Sequence, residues 1–325
     1  MLKSVIIIFC LIMHAPGFVS YGEGTTSFSF LETGFGAKPR SMGSAYTAVS
    51  GDIYSLYWNP AGISDLKRPV FHLGYFNYLL DIQFGFAAAV FNLEKIGSFG
   101  LSINYLDGGE FTEINAEQEK ISNFSFNTTA ICLSSARQIT PQLSAGLTIK
   151  GVGSYCLGLS MFGIGMDLGF NYKPRIKGLS TALVVKDIGY VFNGFAGQPV
   201  NSDFPFPLTC KFGVAYYFRN LPNLLAAADF ILPQRGNWDC RIGLDYKFDN
   251  MISVRGGYRL NQNRLKYIKE NFSSNKTDFI YNDINSWSAG FGLKFLRNVF
   301  DFSVIRTVFG PPNSLLFEAS FILKI

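Results

Sequence analysis

The sequence is poor in charge and, beyond its first residues, has no long apolar run. Of its 325 residues, 16% are charged and 48% are hydrophobic, whereas soluble domains usually carry about 25% charged residues. No apolar stretch of about 18 residues or more follows residue 22, which argues against a helical membrane protein. High apolar content without a spanning helix leaves two classes, a β-rich soluble protein and a transmembrane β-barrel.

Residues that carry out chemistry are also scarce. Beyond residue 22, His72 is the one histidine, and the chain has no G-x-S-x-G motif, which argues against a Ser-His-Asp hydrolase. Cys132, Cys156, Cys210 and Cys240 lack C-x-x-C spacing, so free thiols are favoured over disulfides or zinc ligands. The net charge of +5 is small and dispersed. We therefore expect no enzyme activity, no metal, no cofactor and no nucleic-acid partner.

The first 22 residues have the features of a secretory signal peptide. Lys3 supplies the charged start, Ser4–Met13 forms a short apolar run, and Ser20-Tyr21-Gly22 offers small residues for cleavage. We expect the mature chain to begin at about Glu23 and to be exported past the inner membrane.

Most of the remaining sequence consists of segments of about ten residues that alternate with a period of two. In the stretch 238–248, for example, one alternate set is apolar and the other is charged or Gly. Because successive strand residues point to opposite faces, the two sets face different surroundings. The same parity places His72 on the lumen side of the first strand. About fourteen such strands are predicted, beginning near Pro69, Ile82, Ile96, Asn123, Gln142, Leu159, Gly178, Pro207, Leu224, Asn237, Met251, Ser286, Val299 and Ser314.

The lengths of the connections indicate how these strands are arranged. The three longest, 107–122, 191–206 and 261–284, follow the third, seventh and eleventh predicted strands, whereas the connections after even strands are short. If the strands run up and down, all the long connections lie at one end. Long loops at one end and short periplasmic turns at the other are typical of outer-membrane barrels. The sequence therefore predicts an all-β fold, a transmembrane antiparallel barrel of about 14 strands.

A barrel of that size has a lumen wider than side chains fill, and the residues before the first strand are candidates to fill it. This stretch is rich in Gly, lacks alternation, and contains Asn59-Pro60, a combination that suits a turn or a helix start. An ordinary helix start in a soluble domain is the alternative for that motif. The candidate residues for a lumen plug are Gly34, Gly36, Met42, Gly43, Ala45, Tyr46, Trp58, Asn59, Pro60 and Gly62.

A Gly-rich segment with Asn-Pro-Ala-Gly ahead of such a strand series resembles the amino-terminal plug of FadL-like outer-membrane barrels. Within that superfamily it most resembles the PorV/PorQ group. The resemblance implies three parts: a signal peptide over 1–22, an N-terminal plug over 23–66, and an outer-membrane barrel over 67–325. It also implies a bacterial outer-membrane location after signal-peptide cleavage, with membrane lipid around the barrel.

The resemblance implies two competing functions. In the first, which we favour narrowly, the protein is an accessory of type IX secretion that binds secretion or surface-attachment proteins. In the alternative, it is a FadL-like passive channel for long-chain fatty acids or other hydrophobic small molecules. The connection 191–206 is the candidate partner-binding loop, or the mouth of an apolar substrate site, although a flap folded over the barrel is an equal alternative. Its aromatic residues are Phe192, Phe195, Phe204 and Phe206.

Overall fold

Fourteen antiparallel strands close into one barrel in the computed structural model, in which β1 pairs with both β2 and β14. The structure describes residues 26–77, 82–93, 96–114, 120–193, 205–221, 223–249, 251–261, 287–306 and 315–324. The strands are β1 (Val70–Asn77), β2 (Gln83–Leu93), β3 (Gly97–Ile114), β4 (Lys120–Gln138), β5 (Leu143–Cys156), β6 (Leu159–Tyr172), β7 (Leu179–Asn193), β8 (Thr209–Tyr217), β9 (Leu224–Pro233), β10 (Asp239–Phe248), β11 (Ile252–Asn261), β12 (Trp287–Phe295), β13 (Asn298–Arg306) and β14 (Leu315–Lys324). The predicted fold class is confirmed, and each predicted strand start lies within three residues of the observed one.

Alternation separates the two faces of the barrel wall, as the sequence predicts. On β10, Ile242 and Leu244 are 57% and 53% exposed on the outside, whereas Arg241 and Asp245 are buried in the lumen. His72 is also buried on the lumen side. Among the described residues, no helix is long and apolar enough to cross a membrane. An outer wall of exposed apolar side chains is what a β-barrel surrounded by hydrocarbon requires.

The predicted long connection 107–122 is wrong in part, because β3 and β4 run on through most of it. Residues 110–112 pair with residues 123–125 beyond the point where the neighbouring strands stop. Both faces of this two-stranded extension are largely exposed, and its β3 half, residues 108–113, lacks a regular alternation of apolar and polar residues. The predicted long connections after β7 and β11 fall mainly on 194–204 and 262–286, outside the described residues.

The pairing of β7 with β6 shifts register at two places, and the first of them along β7 is a bulge that breaks the alternation of buried and exposed residues. The register with β6 shifts between Met166 and Leu168, and Asp187 takes a left-handed backbone with φ of 60°. As a result Lys186 and Asp187, although adjacent, are both buried in the lumen. A bulge redirects a side chain in this way by adding one residue to a strand, and a period of two does not reveal it.

Residues 26–66, here called the N-terminal segment, form four short helices joined by turns. These are the 3₁₀ helices Ser29–Glu32 and Pro60–Asp65 and the α-helices Ala37–Ser41 and Ser55–Trp58. The helix Ala37–Ser41 contacts strands β11 to β14, and the helix Pro60–Asp65 contacts β3 to β6. Because these two sets of strands lie on opposite arcs of a closed barrel, the segment lies between them.

Candidate functional site

The first glycines of the N-terminal segment make room for aromatic rings of the same segment. Gly34 and Gly36 have φ of 74° and 104°, a region that favours glycine. A Cβ added at Gly34 would lie 2.7 Å from the Trp58 ring, and one at Gly36 would lie 2.3 Å from the Tyr54 ring. The Trp58 indole also donates to the Phe35 carbonyl at 2.9 Å. These glycines therefore let the segment fold compactly on its own rings.

Gly43 brings the segment backbone directly against the barrel backbone. It has φ of 62° and donates from its amide to the Ser288 hydroxyl at 2.9 Å. Opposite it lies Gly257 of β11, where an added Cβ would come within 1.9 Å of the Gly43 nitrogen. Met42 lies in the same way against Gly243 of β10. Small residues on both sides are required for this approach.

Asn59 begins the helix Pro60–Asp65, as its sequence predicts. Its side-chain oxygen accepts from the Ala61 amide at 3.1 Å, and Pro60 occupies the first helical position. Its amide nitrogen donates to the Thr47 carbonyl at 2.9 Å and to the Phe170 carbonyl of β6 at 3.3 Å. Gly62 packs on Ser55, since a Cβ added at Gly62 would lie 2.7 Å from the Ser55 hydroxyl. One side chain thus caps a helix, closes a turn and reaches the wall.

We call β3 to β6 the glycine wall, because the segment meets it at lumen-facing glycines. A Cβ added at Gly146 would lie 2.4 Å from the Ala61 nitrogen, and one at Gly169 would lie 2.2 Å from the Asn59 side-chain oxygen. Gly100 meets Leu56 at a similar distance, 2.2 Å. Sequence reasoning missed these wall glycines, although they occupy lumen positions in otherwise regular strands.

We call β10, β11, β13 and β14 the charged wall, because the segment is held there by buried charges. The Arg40 guanidinium lies 3.2 Å from the Glu318 carboxylate, which also accepts from the Gly36 amide at 2.7 Å. The Tyr54 hydroxyl donates to Asp301 at 2.7 Å, and Arg255 pairs with Asp301 on the same wall at 2.7 Å. These groups join residues near the start of the chain to the last two strands.

Lys38 extends this network toward β10. Its ammonium lies 3.0 Å from Asp52 of the segment and 3.8 Å from Asp245 of β10. Burial alone would raise the pKa of Asp52, but the Lys38 charge and hydrogen bonds from Tyr46 and Lys38 lower it below its usual value. The same carboxylates raise the pKa of Lys38 although burial opposes this. The pair is therefore charged across the neutral range.

The lumen carboxylates fall into two groups. Asp239 is neutralised within the wall, by Arg241 of its own strand and by Arg259 of β11. Asp229 differs, because its carboxylate accepts from the Tyr46 amide, the Thr47 amide and the Thr47 hydroxyl at 2.7 to 2.9 Å. Asp229 is thus a binding point for the N-terminal segment, which the sequence pattern does not reveal.

Lysines of β5, β7 and β8 also point inward. Lys150 of β5 pairs with Asp167 at 2.7 Å and with Asp187 at the bulge. Lys186 donates to the Tyr57 carbonyl at 3.0 Å, and the Lys211 ammonium lies 5.3 Å from the centre of the Trp58 ring. The middle of the lumen is therefore filled with charged groups that contact either each other or the segment.

A different composition is found near the end of the barrel at which β3, β7 and β11 finish, here called the long-loop end. Phe35 of the segment stacks on Phe86 of β2 at 5.4 Å, and Phe76 packs on Phe84 at 5.5 Å. We call this region the apolar layer. Its buried members are Phe28, Phe30, Leu31, Phe35, Phe76, Phe84, Phe86, Leu106, Val191 and Phe206.

The predicted partner-binding loop is only partly described. Phe206 is 2% exposed and lies over Gly163, Gly165 and Gly189 on the lumen side, which at this residue agrees with the alternative of a folded flap. Phe192 is exposed on the outer face of β7 beside Tyr190. Phe195 and Phe204 lie outside the described residues, and the partner surface stays a prediction.

His72 lies in an aromatic environment. Its ring is 4.9 Å from that of Tyr54 and 5.0 Å from that of Phe86, measured between centroids. Neither ring nitrogen has a hydrogen-bond partner in the part of the chain that the structure describes. The cysteines predicted as free thiols, Cys132, Cys156, Cys210 and Cys240, are free.

The outer face has a recess of about 470 Å³ near the long-loop end. Gly85 and Ala87 of β2 form its floor, and Tyr75, Tyr105 and Phe321 stand at its sides. The recess is almost wholly apolar.

Comparison with solved structures identifies the fold. The Pseudomonas putida toluene transporter TodX is 15% identical, with 89% of this chain and 96% of that chain covered at a TM-score of 0.64. A TodX mutant described as a monoaromatic hydrocarbon channel is 13% identical, covering 89% and 97% at 0.58. A Pseudomonas aeruginosa FadL homologue is 10% identical, covering 94% and 98% at 0.51.

No protein-family model and no curated protein sequence matches the chain. At these identities the likeness shows a shared fold, that of FadL-like barrels. It leaves the PorV/PorQ assignment as a prediction.

Proposed function

We propose that this protein is a passive channel for hydrophobic small molecules in the bacterial outer membrane. The proposal is supported by the fold it shares with barrels named as hydrocarbon channels and by its exposed apolar exterior. The signal peptide over 1–22 is part of the proposal, because export is needed to reach that membrane.

The apolar layer is the observation that carries the proposal. The middle of the lumen holds buried ion pairs such as Lys150–Asp167, whereas the long-loop end is lined by buried aromatic and aliphatic side chains. Apolar solutes bind where water is already excluded and where no polar group loses its partner. In this proposal a hydrophobic compound that enters from the long-loop end meets the apolar layer before the charged middle of the lumen.

In this proposal the N-terminal segment over 23–66 is a plug for the barrel over 67–325. Supporting this role, its described part contacts both the charged wall and the glycine wall. The segment fills the space between these walls, so a solute can pass only if part of it moves or if the solute leaves sideways. The apolar recess beside Gly85 and Ala87 lies on the outer side of the wall that carries Phe86.

Uptake of apolar tracers tests the proposal. The chain would be expressed in a host that lacks its own hydrophobic-compound channels, and uptake of labelled oleate and toluene would be measured. Phe35→Asn puts an amide into the apolar layer and should lower uptake by about tenfold. Phe91→Asn is the matched control, since Phe91 is 45% exposed on the outer face near the end of β2. Uptake no higher than in the empty host would overturn the proposal. Equal loss of uptake in both variants would mean that the apolar layer is not the path of the solute.

The secretion-accessory role stays a prediction based on resemblance, and the fold comparisons favour the channel instead. The secretion-accessory role predicts instead that the barrel co-purifies from gently solubilised membranes with another outer-membrane or surface protein. Deletion of 194–203 should abolish that association while the barrel still shows heat-modifiable mobility. A barrel that co-purifies with no partner but transports oleate would exclude this role.

A further inference from the structure

The β3–β4 extension projects beyond its neighbours as a two-stranded ribbon. Pairing of β2 with β3 ends at Gln83 and Asp107, and pairing of β4 with β5 begins only at Phe126 and Cys156. A strand needs about 9 to 11 residues to cross a bilayer, and β3 and β4 have 18 and 19. The ribbon therefore stands clear of the barrel wall at the long-loop end.

The two edges of the ribbon differ. On β3, Gly108 and Gly109 are skipped in the register, and the Gly109 amide is taken by the Asp107 side chain at 3.0 Å. A bulge of this kind blunts an edge against further pairing. On β4, residues 123–125 are regularly paired to β3, and on their other side they have no strand partner among the described residues. The edge of β4 is thus the one able to accept another strand.

The faces of the ribbon also differ. Phe111 and Phe124 stack across the strands at 5.4 Å on one face, and Phe111 remains 44% exposed. On the other face, Asn123 donates to Glu110 at 2.5 Å. A hollow of about 420 Å³ beside these residues is lined by Asp107, Gly109, Glu110, Asn123, Phe124 and Ser125. One face is suited to apolar side chains and the other to polar or charged ones.

The charge of the stretch 107–120 is opposite to that of the whole chain. Residues 107–120 include five acidic residues and one basic residue, although the chain has a net charge of +5. The acidic residues are Asp107, Glu110, Glu113, Glu117 and Glu119. Such a concentration attracts basic partners and raises their association rate.

We propose that the free edge of β4 in this ribbon binds an extended segment of a partner protein in which basic and apolar residues alternate. This partner segment adds as a strand beside β4, beyond the point where β5 ends, and its backbone pairs with residues 123–125. Its apolar side chains lie beside Phe124, and its basic side chains lie on the face of Glu110. Main-chain pairing supplies affinity in this mode, and alternate side chains supply specificity. This surface is independent of the proposed channel and of the connection 191–206.

Labelled peptides test the proposal with the purified full-length barrel in detergent. The probe is a short acetylated peptide of repeated Lys-Val pairs. A Glu-Val peptide reverses its charge, and a Lys-Pro peptide keeps its charge but cannot pair as a strand. We expect binding of the Lys-Val peptide only, weakening as salt is added. Those amides of Asn123–Ser125 that point away from β3 should gain protection from hydrogen exchange when it binds.

Variants locate the binding on the ribbon. The double variant Glu110→Lys, Glu113→Lys should bind the Lys-Val peptide about tenfold or more weakly than the unmodified barrel at low salt. Its heat-modifiable mobility should be retained. The single variant Glu110→Gln should weaken binding of the Lys-Val peptide by about two- to fivefold. Asp249→Asn, a matched neutralisation in the exposed turn after β10, should leave binding unchanged.

Three results would overturn the proposal. The first is equal binding of the Lys-Pro peptide, which would mean charge attraction alone. The second is binding without protection of Asn123–Ser125. The third is an absence of peptide binding together with self-association that the Glu110→Lys, Glu113→Lys variant abolishes, which would mean that the edge pairs copies of this chain.

Discussion

Both walls that hold the N-terminal segment meet it at glycines, such as Gly257 on one and Gly146 on the other, but they differ in the buried charges that contact it. The charged wall holds it through groups that must be present, such as the Glu318 carboxylate that faces Arg40 and the Gly36 amide. The glycine wall holds it through atoms that must be absent, since Gly146 and Gly169 leave no space for a Cβ. Both walls should therefore fail when a side chain is added at a close glycine, whereas the charged wall should also fail when a charged side chain is removed.

Adding a side chain to the glycine wall should have the largest effect. In Gly146→Leu the new Cβ would lie 2.4 Å from the Ala61 nitrogen and 2.5 Å from the Pro60 carbonyl carbon. Backbone cannot yield as a flexible side chain does, so we expect a loss beyond the usual cost of overpacking, on the order of 5 kcal/mol or more. Residues 59–66 should move off the wall and become sensitive to protease.

Gly151→Leu is the matched control on the same strand. An added Cβ at Gly151 meets nothing within 4 Å, and the position is exposed on the outer face. The free energy of unfolding in lipid vesicles and the protease sensitivity of the segment should both stay near those of the unmodified protein. Equal behaviour of the two variants would contradict the packing of the segment against β5.

Removing a charge from the charged wall should have the next largest effect. Arg40→Met leaves the Glu318 carboxylate buried with the Gly36 amide but without its cation. Breaking a buried pair from one side typically costs about 3 to 5 kcal/mol. This loss should appear in the free energy of unfolding, followed by guanidinium titration in vesicles.

The double variant Arg40→Met, Glu318→Met tests the cause of that loss. It removes both charges, so it should recover part of the stability lost in Arg40→Met alone. If the double variant is less stable than the single one by the full cost of a second independent change, the pair is not coupled across the interface.

The sequence predicts the strands of each wall but not what those strands contact. Alternation is local, so Arg241 and Asp245 are assigned to the lumen from their neighbours alone, and β10 is found at its observed place. Contacts such as that between Gly36 and Glu318 join residues 282 positions apart, and a single sequence has no signal for such a pairing. The lumen positions of Gly146 and Gly169 are predictable, whereas their function is not.

Two departures have identifiable physical causes. Residues 107–122, most of the β3–β4 ribbon, are predicted as a loop because residues 108–113 lack the hydrophobic period that reveals a strand. Lys186 and Asp187 break the parity rule because a bulge adds a residue to β7. The cap at Asn59 was predictable, because a helix start depends on adjacent residues.

Acidification should weaken the charged wall through Asp52. Its pKa is lowered by Lys38 although burial opposes this, so its contribution to stability is complete above the ordinary Asp value of about 3.9. That contribution is lost as the pH falls from there through the lowered pKa. The loss should be smaller than that of Arg40→Met, because the Asp52 side chain is 16% exposed.

Asp52→Asn provides the comparison for this acid effect. The variant should be less stable than the unmodified protein at neutral pH, and the difference should shrink as the pH falls below about 4. Measurement of protease sensitivity of the segment between pH 3 and pH 7 gives the profile. A difference that stays constant over this range would mean that the Asp52 charge contributes nothing to the wall.

Substitution of Asn59 should have the smallest effect and should separate its cap from its contacts to Thr47 and the glycine wall. Asn59→Ser keeps a side chain that caps a helix but is too short to donate to the Thr47 and Phe170 carbonyls. Asn59→Ala loses the cap as well, so the two variants should differ by about 1 kcal/mol. The measurement is again the free energy of unfolding in vesicles. Equal stability of the two would mean that the helix Pro60–Asp65 is held by its packing on Gly146 and Gly169 rather than by its cap.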